Sequence, residues 1–427
     1  MTSTDDAVET LRAAITQKPP FCTGTVPLSS DDATLYYKST DESAGWINLA
    51  DAEKGLQALA EACQPATFGM DQRDVLDESY RKAGKLDTSH FATKLDLDKL
   101  HLMDRIRKQL LDGPDEFKSI TAELYKLNVY GKDSFFKSHK DTPRGDSMFG
   151  SLVLVFPTQH EGGSLVLRHG GKEWSVDSGV VLQEPKVPSV LYIAFFSDVD
   201  HEVTTVKSGY RVTLTYNLFF KGPTAGQPTL ALSPVAPEDG VFEAALSSAL
   251  KDAAFLPEGG LLGFGLSFQY PITPQFRATP LQDTLQRLKG SDAVIKRVCN
   301  KLALNVSLKA IYLDDATNCG VEHKIMVDEV YSMSGWQVDE GMTTLLRGRP
   351  FNGKVIYDRG TNPPPEWDGS EIKGAVPVLW VTPLTAYSHF SSPYIAYGNE
   401  ASAECVYADI CIIVEIGAAG KRETKVQ

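Results

Sequence analysis

The apolar positions of this chain change period along its length. Over the first hundred or so residues they recur at three- and four-residue intervals, as on one face of a helix. Ala7–Ile15 and Ala52–Cys63 carry short amphipathic patterns of this kind. Leu97–Leu111 is the strongest, with Leu100, Met103, Ile106, Leu110 and Leu111 at helical spacing before Gly113-Pro114 stops the run. From Glu123 the pattern shortens to β runs separated by turns: Leu124–Tyr130, Gly150–Phe156, Ser164–Leu167, Val187–Phe195, Glu202–Val206 and Arg211–Phe220. Gly162-Gly163 and Gly170-Gly171 punctuate them where a tight turn or a positive φ is needed. Strands this short and this closely spaced predict an antiparallel sandwich or barrel.

Lys221 to Pro237, rich in Pro, Gly and Thr, reads as a linker. Beyond it the pattern mixes helices (Val241–Ala253, Pro280–Leu302) with strands (Leu261–Tyr270, Leu304–Leu313, Lys324–Met333, Val376–Thr382, Ala408–Ile416). The expected organisation is therefore a mainly helical support region over residues 1–122, a β core over 123–221 and an α+β domain over 238–427. Ala419 to Gln427 reads as a frayed tail.

Composition narrows the function classes. With 427 residues the chain is too long for one ordinary small domain, and 42% hydrophobic against 23% charged residues is the balance of a core-forming protein. A formal net charge of −13 and the lack of a long Lys/Arg run argue against nucleic acid as a partner, because a phosphate-binding surface needs a basic field. No apolar stretch reaches the roughly 18–20 residues that cross a bilayer, so no membrane partner is expected. The N-terminus is acidic and lacks the basic-then-apolar plan of a signal peptide. Cys22, Cys63, Cys299, Cys319, Cys405 and Cys411 form no CxxC pair and read as reduced thiols of an intracellular protein, cytoplasmic or nuclear.

The chemistry concentrates in the β core. His139 and Asp141, two residues apart, present an imidazole and a carboxylate to one side of an extended segment. His201, in Phe195-Phe-Ser-Asp-Val-Asp-His-Glu-Val, supplies a second imidazole. Two histidines and one carboxylate on one face leave three positions open, the arrangement suited to Fe(II) that must also bind a cosubstrate and O₂. With eight histidines in the chain an isolated H-x-D arises by chance, so the surrounding spacing carries the signal. Arg211 lies ten residues after His201, and Thr213 follows two residues later on the same face of a predicted strand. A planar guanidinium fork and a hydroxyl suit the far carboxylate of a dicarboxylic keto acid whose near end chelates the metal. His160 and His169 flank the Glu161-Gly-Gly turn and read as solvated loop residues, whereas His90, His101, His323 and His389 read as structural.

On these residues the core resembles the Fe(II)/2-oxoglutarate-dependent oxygenases. Tyr130-Gly, Glu161-Gly-Gly-Ser-Leu and Phe195-Phe-Ser-Asp…His201-Glu-Val are similar to motifs of the prolyl-hydroxylase branch. The resemblance spans about Glu123 to Phe220 and departs at one point: Arg211 stands where collagen-type prolyl hydroxylases place Lys, and is similar to the oxygen-sensing type. The whole chain also resembles fungal proteins with this core and a long C-terminal extension. The resemblance implies an α+β fold with a double-stranded β-helix, or jelly-roll, core braced by N-terminal helices. It implies His139, Asp141 and His201 as iron ligands and as the catalytic centre, with Arg211, Tyr130 and Thr213 holding 2-oxoglutarate. Fe(II), 2-oxoglutarate and O₂ are the implied cofactor and cosubstrates, with ascorbate as an optional reductant. Three readings of the function stay open: a hydroxylase of a prolyl or other protein side chain, an oxygenase of small molecules, and a binding protein with a vestigial core. No H-x-D pair occurs after Lys221, so no metal is expected in the C-terminal domain.

Overall fold

The computed structural model describes residues 4–15, 18–39, 42–51, 55–70, 73–111, 115–116, 118–142, 144–145, 147–221, 239–270, 272, 279–314, 323–334, 337–338, 342–365, 372–397 and 401–422. The chain forms two compact units: Pro19–Ala231, and Met1–Lys18 together with Leu232–Gln427. The expected linker lies, from residue 222 on, outside the described residues, as do the last five residues of the expected tail.

The unit Pro19–Ala231 is built on two sheets. In chain order their strands are β1 (Phe21–Pro27), β2 (Gln64–Pro65), β3 (Arg81–Lys82), β4 (Gly84–Asp87), β5 (Ile120–Tyr130), β6 (Phe135–His139), β7 (Met148–Val155), β8 (Leu165–His169), β9 (Lys172–Val176), β10 (Ser189–Phe196), β11 (Asp200–Val203) and β12 (Arg211–Phe220). The larger sheet has the order β1-β10-β7-β12-β5-β4-β2, and the smaller β9-β8-β11-β6-β3. From β5 to β12 the chain crosses repeatedly between the two sheets, which is the jelly-roll plan.

The sequence explains which face is which. Along β12, Arg211, Thr213, Thr215 and Asn217 alternate with Val212, Leu214, Tyr216 and Leu218. An amphipathic strand ordinarily turns its polar side to water, but here Arg211, Thr213 and Asn217 are buried as well as the apolar set. Their register partners share that polar face: Tyr130 opposite Arg211, Asn128 and Val155 opposite Thr213, Ser151 opposite Asn217. The apolar side is covered by the helix Leu102–Leu110, which packs on β1, β5 and β10 through Leu102, Ile106 and Leu110, spaced four apart. Tyr192 on β10 donates its hydroxyl hydrogen to Gln109 of that helix at 2.9 Å. With both faces covered, β10 reads Ser-Val-Leu-Tyr-Ile-Ala-Phe-Phe and all eight residues are buried.

The expectation of a mainly helical first 122 residues is corrected. Helices Leu56–Ala62 and Leu102–Leu110 fall within the marked stretches and Thr4–Ala14 overlaps the first of them, but the chain between them forms strands. Segments such as Phe21–Pro27 are too short for their periodicity to declare a strand, and pairing with β10 along the sheet edge decides their conformation. Thr4–Ala14 belongs to the other unit, so the stretch is not one support region.

In that other unit the strands are β13 (Gly260–Gly265), β14 (Asn305–Asp314), β15 (His323–Val327), β16 (Gln337–Val338), β17 (Lys354–Asp358), β18 (Val376–Thr382), β19 (His389–Tyr397) and β20 (Ala401–Ile416). β13 pairs with β18 on one edge and with β20 on the other. Six strands, β13-β18-β17-β15-β14-β20, therefore close on themselves, and β19 and β16 continue outward from β20. Ile311, Met326, Ile356, Val378, Cys411 and Ile413 form one buried cluster contributed by five of the six strands. Helix Thr4–Ala14 buries Val8, Leu11 and Ala14 and packs on helix Asp239–Lys251 and on β18.

Cys22, Cys63, Cys299 and Cys411 are free thiols, while Cys319 and the Cys405 side chain lie outside the described residues. Among the described residues no helix is long and apolar enough to cross a membrane.

Candidate active site

His139, the last residue of β6, is the register partner of His201 on β11, so the hydrogen-bonding of the smaller sheet sets the two imidazoles side by side. Their ring centroids are 4.1 Å apart. Asp141 lies two residues past His139, beyond the end of the strand, and its Oδ1 is 3.8 Å from His201 Nε2. One ligand atom from each of the three residues falls within 4.8 Å of the others, the only such group of three or more His, Cys, Asp or Glu among the described residues.

The neighbours of these side chains fix their orientation. His139 Nδ1 lies 2.8 Å from the Lys137 carbonyl, and His201 Nδ1 lies 3.1 Å from the Val199 carbonyl. A carbonyl only accepts, so Nδ1 of each ring carries a proton and Nε2 is the atom each ring offers as a ligand. Burial, reinforced by His201, pushes the His139 pKa down to about 3, which keeps the ring neutral. Phe136 stacks on His139 at 3.6 Å and Phe195 flanks His201 at 4.7 Å, walling the pair with apolar surface. Ser151, on the inner face of β7, donates its hydroxyl hydrogen to Asp141 Oδ2 at 2.5 Å. That contact leaves Oδ1 for the centre.

Arg211 begins β12 and is 1% exposed. Burial lowers its pKa to about 10, still well above neutral, so it remains a cation. Its Nη2 is buried and has no hydrogen-bond partner among the described residues. Leaving a charged donor in that state costs a few kcal/mol, so the site calls for an anion. Gly163, at φ +68°, makes the room: a Cβ there would lie 3.1 Å from Arg211 Cδ and 2.7 Å from Val206 Cγ2. The second glycine of Glu161-Gly-Gly thus clears the path of the arginine stem.

The six residues singled out from the sequence therefore lie in one unit, with His139, Asp141 and His201 as one group and Tyr130, Thr213 and Arg211 on the inner face of the larger sheet. The reading of His160 and His169 as solvated loop residues is corrected: His169 is the last residue of β8 and half-buried. His160 is no solvated loop residue but 6% exposed, because the short strand His160–Gly162 pairs with Val206–Gly209 just before Arg211. The ring is hydrogen-bonded at both nitrogens, to Thr158 O at 2.7 Å and to Ser178 Oγ at 2.8 Å. Sequence reasoning also passed over Arg81, whose guanidinium sits 4.3 Å above the Phe136 ring and donates to Asn128 Oδ1 at 2.7 Å. No local spacing marks Arg81, which reaches the site only through strand pairing.

Comparison with known proteins agrees with this geometry over the core. Residues 125–219, which include all six residues, match the 2OG-Fe(II) oxygenase superfamily. No curated protein matches the chain. Among solved structures it is similar to a prolyl-4-hydroxylase from Pseudomonas putida, at 19% identity over 51% of this chain and 100% of that one, with a TM-score of 0.30. It is also similar to a Trichoplax adhaerens prolyl hydroxylase in complex with a hypoxia inducible factor oxygen degradation domain peptide fragment, at 16% identity over 51% of this chain and 90% of that one, TM-score 0.31. A third likeness is to prolyl 4-hydroxylases from Phytophthora capsici, at 16% identity over 58% of this chain and 81% of that one, TM-score 0.26.

Proposed function

We propose that this protein is an Fe(II)- and 2-oxoglutarate-dependent dioxygenase that hydroxylates an unactivated C–H bond on a prolyl or other side chain of a protein substrate. The observation that carries the reading is the pairing of a His-Asp-His group with a buried, charged guanidinium whose Nη2 has no hydrogen-bond partner among the described residues, both in the same β core. The donor set fits the metal: two imidazoles that each turn Nδ1 to a backbone carbonyl and offer Nε2, with one carboxylate, are ligands for non-haem Fe(II). Bound there, iron supplies the redox chemistry by which O₂ and 2-oxoglutarate give succinate, CO₂ and a hydroxylated C–H bond.

The protein's own residues do the rest. His139, His201 and Asp141 hold the metal, with Lys137 O, Val199 O and Ser151 fixing their orientation. Arg211 takes the far carboxylate of 2-oxoglutarate through its fork, and Tyr130 and Thr213 complete that pocket. The Phe136 and Phe195 rings exclude water from the imidazoles. A prolyl or related side chain is favoured by Tyr130-Gly, Glu161-Gly-Gly-Ser-Leu and Phe195-Phe-Ser-Asp, which are similar to the prolyl-hydroxylase branch. The net charge of −13 supports a substrate other than nucleic acid.

Anaerobic titration with Fe(II) and then 2-oxoglutarate tests the cofactors, with a visible charge-transfer band as the expected result. Substrate-stimulated succinate release tests the substrate class. Proline-containing peptides should stimulate it; stimulation by a metabolite pool alone would replace the peptidyl reading with a small-molecule one. Omitting ascorbate from the same assay reads whether turnover draws on it.

A further inference from the structure

His160, Ser178 and Arg211 form a hydrogen-bonded chain whose direction is fixed by chemistry. Thr158 O can only accept, so His160 Nδ1, 2.7 Å away, carries the ring proton. Burial holds this imidazole below its usual pKa and neutral, so its Nε2 is an acceptor. The Ser178 hydroxyl, 2.8 Å from Nε2, must then donate to it. That leaves the Ser178 oxygen lone pairs facing Arg211, whose Nε–H lies 3.4 Å away. An arginine Nε–H only donates, so every link has one polarity.

The chain is also anchored at both ends. Thr158 gives its own hydroxyl hydrogen to the carbonyl of Tyr210, the residue before Arg211, at 2.6 Å. Ser178 follows Asp177, whose carboxylate accepts from the Gly179 and Val180 amides and pins the turn. Gly179 lets that turn lie directly on the histidine strand, since a Cβ there would be 2.6 Å from the His160 carbonyl oxygen. The circuit therefore runs from the Tyr210 carbonyl through Thr158, His160 and Ser178 to the side chain of the next residue, Arg211. Its one contact with the guanidinium is at Nε, and Nη2 has no partner among the described residues.

We propose that His160 is a positioning residue which, through Ser178, holds the Arg211 guanidinium so that its outer nitrogens meet the distal carboxylate of the keto-acid cosubstrate. This rests on the proposed use of 2-oxoglutarate and adds residues specific to its far end. Oriented at Nε by a neutral acceptor, the fork has no carboxylate hydrogen-bonded to it, and Asp177, which acts on the cation only through its charge, accepts from the Gly179 and Val180 amides instead. A carboxylate in the place of Ser178 would neutralise the fork.

The test measures ligand binding to the full chain with Fe(II) under anaerobic conditions, by calorimetry and by the visible charge-transfer band. Two ligands are compared: 2-oxoglutarate, and 2-oxopentanoate, which chelates alike but ends in a methyl group. His160→Ala and Ser178→Ala should each weaken 2-oxoglutarate about three- to tenfold, the range expected for losing one hydrogen bond in the support of a charged contact. His160→Gln, whose amide oxygen can accept the Ser178 hydroxyl, should restore most of the affinity. All four proteins should bind 2-oxopentanoate alike. Thermal unfolding identifies a variant that fails to fold, in which case the other alanine variant decides. Unchanged 2-oxoglutarate affinity in both alanine variants, or equal losses for the two ligands, overturns the role of His160 while leaving the cosubstrate reading intact. Absence of binding of either ligand by the unmodified protein overturns both.

Discussion

Tyr130 and Arg211 are register partners across the β5–β12 ladder, and the guanidinium carbon of Arg211 lies 5.5 Å from the centroid of the Tyr130 ring. Sheet pairing thus places the aromatic wall and the cation of the proposed cosubstrate pocket in one step. Nothing in the spacing between residues 130 and 211 announces it. Arg211→Ala should weaken 2-oxoglutarate about ten- to hundredfold, the worth of a charge-assisted contact of roughly 1.5–3 kcal/mol, with a smaller effect on Fe(II). Calorimetry of the two ligands separately checks the split, and unchanged cosubstrate affinity would remove Arg211 from the pocket.

His139→Ala, Asp141→Ala and His201→Ala should each abolish succinate production and lower bound iron, with secondary structure retained. Each removes one of three donors, and two donors neither hold nor orient the ion. The measurements are metal content after gel filtration, circular dichroism and succinate release. A variant that turns over at the unmodified rate with saturating iron would refute the ligand assignment.

Ser151→Ala should leave the fold intact and lower iron affinity about ten- to hundredfold, the usual effect of freeing a ligand from its supporting hydrogen bond. The reason is the contact with Asp141 Oδ2, which holds the carboxylate with Oδ1 toward His201. Competition with a chromophoric chelator reads the change, and an unaltered iron constant would show that Asp141 is held by the backbone alone.

Gly163→Ala should lower stability by about 1–3 kcal/mol, because its φ of +68° is strained for any residue with a Cβ. It should also weaken 2-oxoglutarate, because the new methyl meets Arg211 Cδ at 3.1 Å. Denaturant unfolding and calorimetry together test this. A loss of stability without a loss of affinity would mean that the arginine stem moves aside.

The legible part of the molecule was the part with local signals. Arg211–Phe220 and Val376–Thr382 were bounded from their patterns to the residue. His139 and Asp141 were singled out by their H-x-D spacing, and Arg211 and Thr213 by their distance from His201 and the two-residue period of a strand. His160 was misread for a physical reason: beside two glycines it looks like a loop, and only pairing with Val206–Gly209 buries it. Ser178 and Arg81 carry no pattern, since each joins the site from a separate turn or strand. Phe21–Pro27 and Gly84–Asp87 were missed because their partners are distant in sequence, whereas Thr34–Lys38 and Ala44–Asn48 pair locally but are too short for their alternation to stand out. Closure of the C-terminal sheet was hidden likewise, as β13 and β20 pair across some 150 residues.

Leu11 tests the assignment of the first helix. It is fully buried where Thr4–Ala14 packs on Asp239–Lys251 and β18. Leu11→Ala should cost about 2–5 kcal/mol in the Leu232–Gln427 unit, the usual range for emptying a core leucine site. Iron and 2-oxoglutarate binding should persist in the folded protein. Hydrogen exchange resolved by peptide should show the loss at Gly260–Gly265 and Val376–Thr382 and not at β12.

Because residues 1–18 complete a unit whose remainder starts at Leu232, the chain has an order of assembly written into its connectivity. During synthesis the jelly-roll segment emerges whole and can fold while its successor is still being made. The first helix, whose Val8 and Leu11 are buried in the finished unit, must wait for more than two hundred residues before its partners leave the ribosome. Ribosome-bound chains halted far enough past Phe220 for β12 to have left the exit tunnel, but before Gly260–Gly265 emerges, should accordingly show a protease-resistant Pro19–Phe220 fragment with residues 1–18 cleaved, and chains released at full length should protect both.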